Sequence, residues 1–196
     1  FWRMPVEGLK VGATFLRASI DFNLTLSDAN IAALIGAGIE PADYDGKLRI
    51  SQGPVSLYIG SAEWLLGDWT FAAEYSRGHT HQSSTISAAL PTFDQDNERF
   101  YVLAARRLST RFETGGYYSV YEVDANDRAG HDRTAFPIRS NAFQRDLAAT
   151  LRFDVNEHWL WKVEAHFIDG TADLEPVSNP MPERYWGLFL FKTTVT

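Results

Sequence analysis

Five histidines are the first residues in this chain that could do chemistry. In the stretch RGHTH, His79 and His81 stand two apart. On a strand, positions i and i+2 share a face, so both imidazoles could reach one metal ion. No third ligand has a fixed position, so the pair reads as the polar base of a loop and no metal site is expected. His131, in GHDR, has acid and base residue types around it but falls in a long loop. Ser119, His166 and Glu164 are the types of a nucleophile, a base and an orienting carboxylate. That chemistry needs the nucleophile within hydrogen-bond reach of the base, and nothing in the spacing of these residues brings Ser119 there. Lys162, Glu164 and His166 read more simply as a ladder of mixed charge on one face of a strand. Neither a catalytic residue nor a cofactor is expected.

The elements that position these side chains repeat with period two. In WLWKVEAHFID, Trp159, Trp161, Val163, Ala165 and Phe167 fall on one face, with Lys162, Glu164 and His166 on the other. The preceding segment repeats the scheme, with Leu147, Ala149, Leu151, Phe153 and Val155 alternating with Asp146, Thr150, Arg152 and Asp154. Comparable segments lie near 9–16, 55–66, 69–77, 99–108, 111–123 and 185–196, which gives about eight strands. The connections at 67–68, 109–110 and 156–158 are short, and those near 23–53, 78–98, 124–144 and 170–184 are long. Short turns at one end and long polar loops at the other describe an antiparallel up-and-down meander. Within the first long loop, SDANIAALIGAG can form a short helix capped by Ser27. In RFYVLAARRLS, either Arg106 or Arg107 has to lie on the less polar face, and periodicity leaves the register open.

Composition removes several classes of function. The 196 residues carry a net charge of −7 and no cysteine. An acidic chain lacks the clustered Lys and Arg of a nucleic-acid binder. Without cysteine there is no disulfide framework, thiolate metal site or cysteine nucleophile. No run approaches the roughly 18 to 20 apolar residues of a membrane helix. The start FWRMPVEGLK lacks the pattern of a signal peptide.

A soluble sandwich or barrel module with a ligand cavity would also alternate. Here, however, Trp69, Tyr75, Trp159, Phe167 and Tyr185 fall near strand ends. The opposite faces carry both signs of charge: Lys10, Arg152, Lys162 and Lys192, against Glu63, Glu74, Glu113 and Glu164. An apolar band rimmed by aromatics and backed by charge describes a transmembrane barrel with lipid outside and water inside. These eight residues and His166 are the pore-lining candidates. Trp159, Trp161, Val163 and Phe167 are lipid-facing candidates.

At this point the sequence resembles a family. WGLFLFKTTVT, NEHWLWKVEAHFIDGTADL and SAEWLLGDWTFAAEYSR resemble the closing strands of Gram-negative outer-membrane porins, and MPVEGLKVGATFL resembles an internal porin hairpin. The resemblance implies that residues 1–196 are a single β-barrel domain or the C-terminal half of a barrel of 16 to 18 strands. It implies short turns in the periplasm and long loops outside the cell. It adds Phe189, Phe191 and Val195 to the lipid-facing set, with Lys192 in the lumen. Porins finish on an aromatic residue, usually Phe, which serves as the recognition signal for barrel insertion, and this chain stops at Thr196, one residue short of it. Passive diffusion of small hydrophilic solutes or ions across the outer membrane is the implied function. Outer-membrane lipid, lipopolysaccharide, the barrel-assembly machinery and a homotrimer are the implied partners. The alternatives are a rim-active outer-membrane hydrolase of lipid or peptide and the soluble ligand-binding module.

Overall fold

A computed structural model describes residues 2–36, 47–84, 92–132, 138–174, 179 and 181–195. It contains one antiparallel sheet in which strand order follows chain order. The strands are β1 (Trp2–Arg3), β2 (Leu9–Thr25), β3 (Lys47–Leu66), β4 (Trp69–Ser84), β5 (Phe93–Arg107), β6 (Phe112–Glu122), β7 (Phe143–Asn156), β8 (Trp159–Gly170) and β9 (Tyr185–Val195). The order runs from β1 to β9 without closing on itself. Among the described residues, α1 (Asp28–Gly36) is the α-helix. Ser27 caps it, with the Asn30 amide donating to Ser27 Oγ at 3.4 Å and the Ile31 amide to the Ser27 carbonyl at 3.0 Å.

The expected meander is present, with longer strands than periodicity indicated. The regions near 23–53 and 78–98 are not loops throughout: β2 runs to Thr25, β3 begins at Lys47, β4 runs to Ser84 and β5 begins at Phe93. The extensions of β4 and β5 (GHTHQSS and FDQDN) carry no apolar alternation to read, whereas Ile20, Phe22 and Leu24 in β2 and Leu48 and Ile50 in β3 do alternate, a signal that sequence reasoning passed over. His131 and its neighbours follow β6, and His131 donates its amide to Asp127 Oδ1 at 2.8 Å. The predicted loop stretches at 37–46, 85–91, 133–137 and 175–178 lie outside the described residues, as does Thr196.

The chain divides into two compact units. The first comprises Phe1–Thr14, Tyr58–Arg77 and Asn97–Thr196 and contains β6 to β9 entire. The second comprises Phe15–Leu57 and Gly78–Asp96 and contains α1.

Tight turns join β3 to β4, β5 to β6 and β7 to β8. Gly67 adopts φ +57° between β3 and β4, a conformation favoured by a residue without Cβ. Ser109 Oγ accepts the Phe112 amide at 3.1 Å before β6. Between β7 and β8 the His158 amide donates to Asn156 Oδ1 at 2.9 Å, and a bulge between Asp154 and Asn156 shifts the register there.

Candidate functional site

Pairing of β5 to β9 fixes which residues share a face. One set of rows reads Phe112, Phe153, Trp161, Thr193; then Thr114, Leu151, Val163, Phe191; then Gly116, Ala149, Ala165, Phe189; then Tyr118, Leu147, Phe167, Gly187. All seven lipid-facing candidates lie on this apolar face, since Trp159 pairs with Val195 just beyond the first row. Aromatic contacts line its turn-proximal end: Trp159 meets Trp161 edge-on at 5.3 Å, Phe112 meets Phe153 at 4.7 Å, and Trp69 stacks on Phe71 at 5.6 Å.

At its other end the apolar face stops at a row of charge. Val120, Arg145, Asp169 and Tyr185 share a row. Arg184 donates to Asp169 through Nε at 2.6 Å and Nη2 at 3.1 Å, and Arg145 approaches the same carboxylate at 3.8 Å. The hydrogen bonds that Arg184 donates to Asp169 hold its guanidinium above the usual arginine range. Both guanidinium groups lie over the Phe143 ring, at 4.9 and 5.3 Å. Nearby, Arg128 pairs with Glu98, whose carboxylate also accepts the Tyr75 hydroxyl at 2.7 Å. The ten residue steps from Trp159 to Asp169 cover about 34 Å of strand.

The opposite face gathers most of the pore-lining candidates. Glu113, Arg152, Lys162 and Lys192 form one row across β6 to β9. Glu164 and His166 follow on the same side, and Lys162 Nζ is 2.7 Å from Glu164 Oε1. Arg107 joins this face, pairing with Asp154 at 3.1 Å and Glu113 at 3.4 Å. Arg106 shares the face of Thr114 and lies over the Trp69 ring at 5.4 Å, which decides the register left open by the sequence. Farther along the sheet, Lys10 donates to Glu63 at 2.8 Å. Glu74 lines a cavity with Arg99 and Tyr121.

Sequence reasoning missed two features of this face. Its β8–β9 wall is partly apolar: Ile168 pairs with Trp186, His166 with Leu188, Glu164 with Leu190 and Leu160 with Thr194. An alternating pattern hides this because β9 is apolar at both phases. The second feature is a buried polar cluster. His166 Nδ1 lies 2.9 Å from Asp146 Oδ2, and the Tyr117 hydroxyl donates to that same oxygen at 3.2 Å. Glu164 Oε2 is 3.9 Å from His166 Nε2. The register pairs Ser119 with Asp146, and no hydrogen bond joins Ser119 to His166 among the described contacts. The nucleophile arrangement is therefore not assembled. His79 and His81 each face an aspartate, with His79 Nδ1 2.7 Å from Asp96 and His81 Nδ1 2.9 Å from Asp94. No group of three or more metal-ligating side chains is arranged to hold an ion among the described residues.

Exposure is inverted relative to a soluble sheet. On the apolar face Phe167, Phe189 and Val195 are 69%, 71% and 74% exposed, whereas on the polar face Ala148 and His166 are 2% and 7% exposed.

No protein-family model matches the chain, and no curated protein matches it in sequence. Among solved structures it is similar to the CymD monoaromatic hydrocarbon channel, with 13% identity and a TM-score of 0.48 over 98% of this chain and 62% of that one. It is similar to the Pseudomonas putida toluene transporter TodX, with 10% identity and a TM-score of 0.47 over 97% and 57%. An anion-selective porin from Comamonas acidovorans matches with 10% identity and a TM-score of 0.41 over 64% and 39%. The chain thus spans 62% of CymD, 57% of TodX and 39% of the porin.

Proposed function

We propose that the sheet forms wall of a β-barrel channel in the outer membrane of a Gram-negative bacterium, through which small hydrophilic solutes diffuse passively. The observation that supports this reading is the exposure of the large apolar side chains of one face, Phe167, Phe189, Phe191 and Val195 among them, while Asp146 and His166 are buried on the other. In water that arrangement leaves apolar surface uncovered. In a bilayer it places the aliphatic and aromatic side chains against lipid and the charged rows against water. Backbone pairing within the sheet satisfies polar groups that lipid cannot, and the charged rows tune ion preference. The headgroup layer meets the row of Arg145, Asp169 and Arg184.

Reconstitution in a planar bilayer tests the channel. Stepwise conductance is the expected outcome; a bilayer that stays sealed at every protein concentration overturns it. A protein monodisperse in plain buffer overturns the membrane setting itself. A second reading, passage of apolar solutes, is favoured by Leu160, Ile168, Trp186, Leu188 and Leu190 on the polar face. It predicts uptake of an alkane-like probe that Leu188→Ser with Leu190→Ser abolishes.

A further inference from the structure

We propose that the polar face carries a binding site for small zwitterions, built around Arg99 and Glu74. As a subsite of a solute path it rests on the channel reading; as a binding site it stands on its own geometry.

The site is a cavity of about 260 Å³. Four neighbouring strands and the segment after β8 converge on it: Glu74 comes from β4, Arg99 from β5, Tyr121 from β6, Gln144 from β7, and Asp173 follows β8. The Arg99 guanidinium carbon sits 3.7 Å from the centroid of the Tyr121 ring, a cation–π contact that gives a long side chain a fixed seat. Arg99 Nη2 is 3.6 Å from Asp173 Oδ1, an ion pair longer than a hydrogen bond. Asp173 is itself anchored: its Oδ2 accepts from Gln144 Nε2 at 3.2 Å, and its amide donates to Gln144 Oε1 at 3.3 Å. Arg99 therefore keeps N–H donors available to a ligand, in the planar fork that suits a carboxylate.

Glu74 supplies the other half. Glu74 lines the same cavity, and no ion pair holds its carboxylate among the described residues. With Asp173 it outnumbers the single cation, so an anion alone would meet net repulsion and a cation alone would leave Arg99 without a new acceptor. A molecule with a carboxylate at one end and an ammonium group at the other satisfies both. Tyr101 and Ser119, also in the lining, bring hydroxyl groups able to make neutral hydrogen bonds.

Calorimetric titration of the detergent-folded protein with L-alanine tests the site, against propionate, ethylammonium and erythritol as carboxylate-only, ammonium-only and neutral probes. L-Alanine is expected to bind at least ten-fold more tightly than each of the others. Arg99→Met and Glu74→Gln are each expected to weaken it at least ten-fold, with Arg99→Lys in between, while far-ultraviolet circular dichroism stays unchanged. Equal affinity for the four probes overturns the site, as does an alanine affinity indifferent to both substitutions in folded protein. The titration needs no conduction, so a sealed bilayer alongside this binding pattern removes the channel and leaves the site.

Discussion

Arg106 and Arg107 are neighbours in sequence and point to opposite faces of β5, Arg106 over the Trp69 ring at 5.4 Å and Arg107 to Asp154 at 3.1 Å. On the channel reading, a cation on the apolar face is tolerable here because it lies at the aromatic rim, where a long side chain can bring its charge to the membrane surface while its stem stays in lipid. Arg107 instead ties three strands together through Asp154 on β7 and Glu113 on β6. Replacing Arg107 with Met should lower the stability of the lipid-folded protein by about 1 kcal/mol, since these pairs are partly exposed. Arg106→Met should change it by less. Urea titration read by the gel mobility of folded protein measures both.

The apolar face gives a sharper test of orientation. Phe189 shares the middle row with Ala165, midway between the aromatic rim and the charged row. Phe189→Lys should destabilise the folded state in lipid by about 2 to 4 kcal/mol, the cost of a charge near the bilayer centre. Leu188→Lys, one residue away on the other face, should be nearly neutral. Equal effects from the two would contradict the assignment of faces.

How much of this was legible in the sequence follows from where one face of the sheet is apolar and the other is not. The phases of β7 and β8 were readable because Leu147 to Phe153 and Trp159 to Phe167 must be apolar on one side only. The extensions of β4 and β5 were not, because RGHTHQSS and FDQDN offer no run of alternating apolar residues, and a strand with two wet faces has the composition of a loop; Ile20, Phe22 and Leu24 did mark the extension of β2. The cross-strand pairs of His79 with Asp96 and His81 with Asp94 depend on that hidden pairing. β9 failed in the opposite way: Leu188 and Leu190 interleave with Phe189 and Phe191, so alternation there does not mark polarity. The cavity around Arg99 draws its residues from four strands and a loop, a long-range arrangement that no local spacing encodes.

Asp146 and His166 form a buried pair whose outer atoms, Asp146 Oδ1 and His166 Nε2, have no hydrogen-bond partner. Removing one member strands the other. His166→Leu or Asp146→Leu should each cost about 2 kcal/mol, whereas the double substitution should cost less than the sum, because neither polar member is then left facing an apolar partner and only the Tyr117 hydroxyl loses its acceptor. A double-mutant cycle by urea unfolding checks this, and additive losses would show that the two are not energetically linked.

Ion preference should respond to the row of Glu113, Arg152, Lys162 and Lys192, in which three cations face one anion. Lys162→Glu with Lys192→Glu should move the reversal potential in a salt gradient toward cation preference. An unchanged reversal potential would place the selective constriction elsewhere.

The distance between the tryptophan rim and the row of Arg145 and Asp169 has a consequence for where the protein can live. If the strands tilt near 40°, as in a barrel of the proposed kind, that distance becomes a span of about 26 Å, shorter than the roughly 30 Å hydrocarbon core of an average bilayer, and the bacterial outer membrane is among the thinner ones. Each ångström of mismatch costs a fraction of a kcal/mol, so the molecule carries its own ruler for membrane thickness. Insertion should therefore be fastest and most complete in short-chain lipids and fall as the acyl chains lengthen, sorting the protein by geometry before any receptor reads its address.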